Sequence, residues 1–214
     1  KINIDKAWIH SDIVTLGIAA DLVPIIDENR IIVQKGIEKI EQGNNVGILA
    51  LLKVGGLVNK NITVGRLVFW VAPKINAAGR LDDPMLSYRL LRSQSVPEAS
   101  HLAKMLDTLN IQRRDLTKMA MEIAQQKIDA SKLEKQIVIL SDEAFTPGIA
   151  GIVASRIVEN YYKPTIVISL DDKTGRASAR STPEFDISSA LEECADLLIS
   201  GGGHPRAAGF TISK

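Results

Sequence analysis

The sequence is poor in cysteine, in aromatic residues and in net charge. A single cysteine, Cys194, in 214 residues excludes an internal disulfide and a cysteine-built zinc site. It also makes a reducing, cytoplasmic setting the expected one. Aromatics make up 4% of the chain and are scattered, without interleaved basic residues, so a base-stacking platform is not indicated. A formal net charge of +1 gives no global electrostatic argument for a polyanionic partner; any such partner must be held by a few placed side chains. No run of about 18 uncharged apolar residues occurs, so no membrane span is expected. Residues 1–5 (Lys-Ile-Asn-Ile-Asp) carry no initiator Met and none of the charged-then-apolar pattern of a signal segment. Several catalytic signatures are missing too: a Gly-x-Ser-x-Gly elbow, a His-Glu-x-x-His helix, and a Gly-Lys-Ser/Thr phosphate loop. What is present is apolar material. At 45% hydrophobic residues, the chain can bury enough surface to offset ordering entropy, and disorder is excluded.

The chain reads as three blocks. Residues 1–96 are mostly helical: a helix capped by Ser11 and running through Leu16 to Asp21, a second around Ile31 to Ile40 ended by Gly43, and a third from Val46 to Val54. A turn follows that is capped by Thr63 and reaches Trp70. Pro73 is expected to break the pattern, and Asn76-Ala-Ala-Gly-Arg80 to be irregular. Residues 97–130 form one amphipathic stretch with Leu102, Leu106, Leu109, Leu116, Ala120 and Ile123 on one seam, interrupted at Arg113. As a continuous helix it spans about 50 Å. Residues 131–214 alternate short apolar runs with helical patterns, which argues an α/β unit. Strands are expected at residues 136–140, 165–169, 175–180 and 208–212, helices at 148–160 and 187–199, and a loop at Gly201-Gly-Gly-His-Pro. Charge divides unevenly, with 12 basic and 9 acidic residues in the first block and 9 and 11 in the third. Neither block is a basic domain.

Five places could carry chemistry. Gly201-Gly202-Gly203 lacks every Cβ, so its backbone can approach an anion closely, and His204 follows as a donor or proton carrier; a plain turn with a surface histidine is the alternative. Strand period 2 places Arg176, Ser178 and Arg180 on one face, where guanidinium groups flanking a hydroxyl suit a terminal phosphate; a solvated edge is the alternative. Asn76-Ala-Ala-Gly-Arg80 pairs small residues with one fixed cation and permits close approach of a phosphate backbone, or it is an ordinary loop. Asp21 ends an apolar helix with no basic residue within eight positions. It suits a divalent ion, or is simply an exposed helix-end carboxylate. Gly148-Ile-Ala-Gly151 opens a helix by close packing or by holding an anion.

Five segments taken together resemble the RecJ family of single-strand-specific exonucleases, within the DHH–DHHA1 phosphodiesterases. They are Asp12-Ile-Val-Thr-Leu-Gly-Ile-Ala-Ala-Asp21, Pro73-Lys-Ile-Asn-Ala-Ala-Gly-Arg80, Gly148-Ile-Ala-Gly-Ile-Val-Ala-Ser-Arg156, Ser178-Ala-Arg180-Ser181, and Gly201-Gly-Gly-His204 with Ala207-Ala-Gly-Phe210. The resemblance implies an α/β architecture: 1–96 as the C-terminal helical part of a DHH domain, 97–130 as a connector helix, and 131–214 as a DHHA1 domain. It implies an enzyme releasing nucleotides 5′-to-3′ from single-stranded DNA in repair and recombination. Asp21 is then a ligand of Mn2+ or Mg2+, and His204 the catalytic histidine near the scissile phosphate. Arg80 and Asn76 contact the DNA backbone. Arg176, Ser178 and Arg180, with Gly201, Gly202 and Gly203, hold a 5′-phosphorylated end. A monomer with no membrane association is expected. The family's Asp-x-Asp and Asp-His-His segments are absent from this chain. By itself it is therefore expected to be inactive and to bind no metal. Thr146 stands where the family commonly has a histidine. The rival readings are a phosphodiesterase of short oligonucleotides or cyclic dinucleotides, and a non-catalytic DHHA1-like nucleic-acid-binding module.

Overall fold

The computed structural model describes residues 8–58, 60–131 and 136–214; the opening residues 1–5 lie outside them. The described chain falls into two compact units, residues 1–112 and 113–214.

The first unit is helical. Helices α1 (Ser11–Ala20), α2 (Asp27–Gln42) and α3 (Val46–Val54) follow the apolar periodicity. α2 stops at Gly43, whose φ of 72° is the left-handed conformation glycine adopts without penalty. α3 starts at Asn45, whose side chain accepts the Ile48 N–H. Ser11 does not cap α1; it is the first helical residue, and its hydroxyl donates to the Trp8 carbonyl at 3.0 Å. α1 and α2 cross where Gly36 has no Cβ, a position where one would strike the Thr15 side chain and the Ser11 carbonyl.

Pro73 does not end the next helical segment. A turn over Val64–Arg66, capped by Thr63, passes into a π-helical turn over Leu67–Val71 and then into α4 (Ala72–Leu81). Proline lacks an N–H and is tolerated in a first helical turn, where that donor has no partner to lose. Pro73 is the second residue of α4. Asn76 to Arg80, expected to be irregular, is therefore helical. α5 (Met85–Arg92) packs back on α4, with the Ser87 hydroxyl donating to the Ile75 carbonyl at 2.9 Å.

Helix α6 (Val96–Ser131) is continuous through the boundary between units. Its first half gives Ala99, Leu102, Ala103 and Leu106 to the core of the first unit, with Leu16, Leu51, Leu67 and Leu90. Its second half gives Ala120, Ala124 and Ile128 to the second. Arg113, which interrupts the seam, is the first residue after the boundary.

The second unit is a five-stranded mixed sheet in the order β1-β2-β3-β5-β4. Its strands are β1 (Val138–Asp142), β2 (Thr165–Leu170), β3 (Thr174–Arg180), β4 (Ser200–His204) and β5 (Ala207–Ser213). β1 and β2 are parallel, joined by α7 (Pro147–Tyr161); the other pairs are antiparallel. Ala120, Ala124 and Ile128 of α6 and Ile149, Val153 and Ile157 of α7 cover Val138, Leu140 and Val167 on one face. Ile187 of α8 (Ile187–Glu192) packs with Ile166, Ile168, Ala177, Ala179, Ala208 and Phe210, the alternate residues and so the other face. Two expectations change here. The helix expected through Ile199 ends at Glu192, followed by a short 3-10 turn over Ala195–Leu197. Gly201 to His204 is not a loop but part of edge strand β4.

Candidate functional site

In the first unit, Asp21 is the exposed C-cap residue of α1, its backbone N–H donating to the Gly17 carbonyl. Asn76 and Arg80 are exposed on α4. The rotation of α4 is fixed from behind. Ala77 and Ala78 are fully buried, and the Lys74 ammonium, almost wholly buried, pairs with Asp107 of α6 at 2.5 Å. Positions 76 and 80 are one helical turn apart and share the outward face.

In the second unit, the pairing register aligns the candidates in rows. Residues directly opposite on paired strands point to one face. Arg180 of β3 pairs with Ala207 of β5, which pairs with His204 of β4. Ser178 pairs with Gly209, which pairs with Gly202. Arg176 pairs with Thr211, which pairs with Ser200. The helical cover of this face, from α6 and α7, packs on β1 to β3. Beyond β3 the face carries Ala207, Gly209, Thr211, Ser213, Ser200, Gly202 and His204, most of them exposed. The result is a shallow floor of small residues, with two guanidinium groups and a serine hydroxyl along one side and an imidazole on the other.

The start of α7 closes the same side. A Cβ on Gly151 would lie 2.9 Å from an Arg180 guanidinium nitrogen and 3.1 Å from the Ser178 hydroxyl oxygen. The glycine thus lets the helix seat directly on those two side chains. The Arg180 guanidinium also donates to the Ala179 carbonyl at 2.7 Å, which fixes its direction. Thr146 is the N-cap residue of α7, yet its side chain accepts no capping bond, and its Oγ1 is buried without a hydrogen-bond partner.

Gly201, Gly202 and Gly203 differ in what they permit. Added to Gly202, a Cβ would meet open space; added to Gly203, it would lie 2.5 Å from both Cα and Cβ of Ala208. Gly202 therefore keeps the floor flat, and Gly203 lets β4 lie close against β5. A hollow beside β4 is lined by Ser188, Leu191, Glu192, Leu198, Ser200 and Gly201 to Gly203. The carboxylates held below their ordinary range are structural. Asp186 caps α8, accepting from the Ser188 hydroxyl and the Ser189 N–H. Asp171 accepts the Lys173 and Thr174 N–H groups in a turn. Among the described residues, no group of three or more His, Cys, Asp or Glu is arranged to hold a metal ion. Asp21 offers a single carboxylate.

The arrangement brings Arg176, Ser178, Arg180, Gly202 and His204 to one face; Gly201 and Gly203 turn to the other by strand alternation. Asp21, Asn76 and Arg80 belong to the other unit. Gly209 was missed as a site residue, whereas Gly151, expected to open its helix by close packing or by holding an anion, serves close packing.

The chain is similar to known proteins over most of its length. Residues 134–214 match the DHHA1 domain family. The single-stranded-DNA-specific exonuclease RecJ of Bacillus subtilis is 35% identical over 203 residues, 94% of this chain and 26% of that protein. RecJ of Salmonella typhimurium is 35% identical over 95% of this chain and 37% of its own length. The crystal structure of RecJ from Thermus thermophilus in complex with Mg2+ superposes with a TM-score of 0.86 at 32% identity, covering 95% of this chain and 31% of that one. A RecJ structure bound to manganese gives a TM-score of 0.81 at 32% identity, with 95% and 50% covered. The chain thus spans about a quarter to a half of the proteins it matches. Residues 134–214 thus match the DHHA1 domain family, and the chain over most of its length is similar to the RecJ proteins.

Proposed function

We propose that this chain is a segment of a single-strand-specific DNA exonuclease that hydrolyses phosphodiesters from a 5′-phosphorylated end, acting as a cytoplasmic monomer in DNA repair and recombination. In this reading residues 1–96 complete a DHH domain, 97–130 connect it, and 131–214 form the DHHA1 domain. The observation that carries the reading is the row Arg180–Ala207–His204 beside Ser178 and Gly202: cations and small residues converge on one open face.

Arg180 and Ser178, with Arg176, hold the terminal phosphate. Guanidinium groups bind phosphate oxygens bidentately and stay charged at any working pH. The backbone of Gly201 to Gly203 lets the strand approach, and His204 donates to a phosphate oxygen near the scissile bond as the catalytic histidine. Asn76 and Arg80 contact the sugar–phosphate backbone. Such contacts position a strand without reading its sequence, as a sequence-tolerant nuclease requires. Asp21 contributes one carboxylate to a divalent ion, Mn2+ or Mg2+, and no step is assigned to a metal held by this chain alone. Without that ion the chain is expected to bind strands and not to cleave them.

The test is end discrimination. Arg180→Ala should cost about 1.5–3 kcal/mol of affinity for a 5′-phosphorylated oligonucleotide, the scale of a charged hydrogen bond, and much less for the 5′-hydroxyl strand. Fluorescence anisotropy on both strands measures it. Equal losses on the two ends would refute the assignment.

A further inference from the structure

Phe69 is 78% exposed, the most exposed large apolar side chain among the described residues, and its neighbour Trp70 is 55% exposed. Single exposed apolar residues are common; a phenylalanine and a tryptophan in sequence, both in water, are not. The exposure has a local cause. Both lie in the π-helical turn over Leu67–Val71, closed by the Ala72 N–H donating to the Leu67 carbonyl five residues back. A π-turn inserts one residue beyond the α-helical count, and such insertions cluster at functional sites. Here the inserted turn keeps Leu67 and Val71 fully buried and leaves the two aromatics outside.

The helix running on from this turn adds a second, independent element. Phe69, Pro73, Asn76 and Arg80 are spaced by four, three and four residues, so they form one stripe. The buried residues Leu67, Val71, Lys74, Ala77 and Ala78 occupy the opposite stripe. Lys74 is locked inward by Asp107, so the outer stripe cannot rotate into the core. An aromatic ring, an amide and a guanidinium therefore line one exposed face, with about 16 Å of helix axis between Phe69 and Arg80. A single strand fits that pattern, because its phosphates are anionic and each of its bases has an apolar π-face.

We infer that Phe69 is a base-stacking residue that engages a single strand whose backbone is held by Asn76 and Arg80. The inference rests on the single-strand reading above and adds to it a contact to bases. Stacking is sequence-tolerant, since every base presents a face. Trp70 follows Phe69 in the same turn and is also exposed.

The experiment compares two strands of equal length and charge: a 5′-phosphorylated oligothymidylate, and the same strand made of abasic tetrahydrofuran units. Binding to the full chain is followed by anisotropy at low salt. The Phe69→Ala chain should lose about 5-fold or more in affinity for oligothymidylate, the lower end of a stacking contact. It should bind the abasic strand as the parent does and keep the parent salt dependence. Phe69→Trp should restore oligothymidylate binding. Unchanged thermal unfolding of Phe69→Ala, expected for so exposed a residue, confirms an intact fold. Wild-type affinity of Phe69→Ala for oligothymidylate, or an equal loss on both strands, overturns the stacking role and leaves the single-strand reading standing. Failure of the parent chain to bind either strand overturns both.

Discussion

Two glycine-bearing motifs in this molecule look alike in sequence and are built in opposite ways. Asn76-Ala-Ala-Gly-Arg80 and Gly201-Gly-Gly-His204 each set small residues before a cation or imidazole, and each suggests an irregular loop. The first is an α-helix held from behind by Ala77, Ala78 and the Lys74–Asp107 pair. The second is an edge strand whose five residues are all exposed and whose order comes from pairing with β5. In the helical unit the small residues serve packing, and the functional side chains face out because the buried ones cannot. In the sheet unit the small residues form the surface itself. Glycine is thus dispensable in one motif and required in the other.

The strongest way to break that comparison is Gly203→Ala. Its Cβ would lie 2.5 Å from Cα and Cβ of Ala208, so β4 must shift from β5. A loss of about 2–3 kcal/mol in thermal or denaturant unfolding is expected, the upper range for overpacking. Gly202→Ala meets nothing within 4 Å and should change stability by less than about 0.5 kcal/mol. Comparable losses for the two would show that close approach of β4 to β5 does not set the requirement. The opposite sign is expected at Gly79→Ala. Its Cβ would meet Pro84 at an ordinary 3.6 Å at an exposed position of α4. Alanine should stabilise the chain there by about 0.5–1 kcal/mol. A loss at this position would show that the helical motif also depends on its glycine.

The smallest effect sharpens the picture of the sheet unit. The Ala144 N–H and the Lys127 ammonium, at 2.9 Å from the carboxylate, hold the Asp142 carboxyl below its ordinary value at the end of β1. A carboxyl lowered in the folded state contributes stability above its unfolded value and loses it as pH falls through the folded one. Asp142→Asn should therefore cost about 0.2–1 kcal/mol at neutral pH, as exposed pairs do. The difference from the parent should fade as pH drops below about 4. A difference independent of pH would assign the effect to packing.

Legibility followed the range of the forces involved. Helix α3 was readable from end to end, because apolar period and the Gly55-Gly56 stop are local signals. The common face of Arg176, Ser178 and Arg180 was readable because strand alternation needs only neighbours in sequence. The length of α8 was not, since Leu191 and Leu198 are apolar in either conformation. Pro73 was misleading. A proline inside an apolar pattern normally stops a helix, and here the π-turn before it resets where the helix begins. The exposure of Phe69 was hidden for the same reason: one extra residue in a turn moves every following side chain around the axis.

The sequence by itself determined the two kinds of unit, the long amphipathic helix that runs through both, its interruption at Arg113, and the residue types able to hold a phosphate. These follow from hydrophobic period and side-chain chemistry, which are written along the chain. Only the tertiary structure decided that His204 stands in one row with Arg180, that Gly151 seats α7 on Ser178, and that β4 is a strand at all. Those facts depend on which strand lies beside which and in what register, a choice made by packing between elements distant in sequence. A one-residue slip of β4 would have turned His204 to the other face.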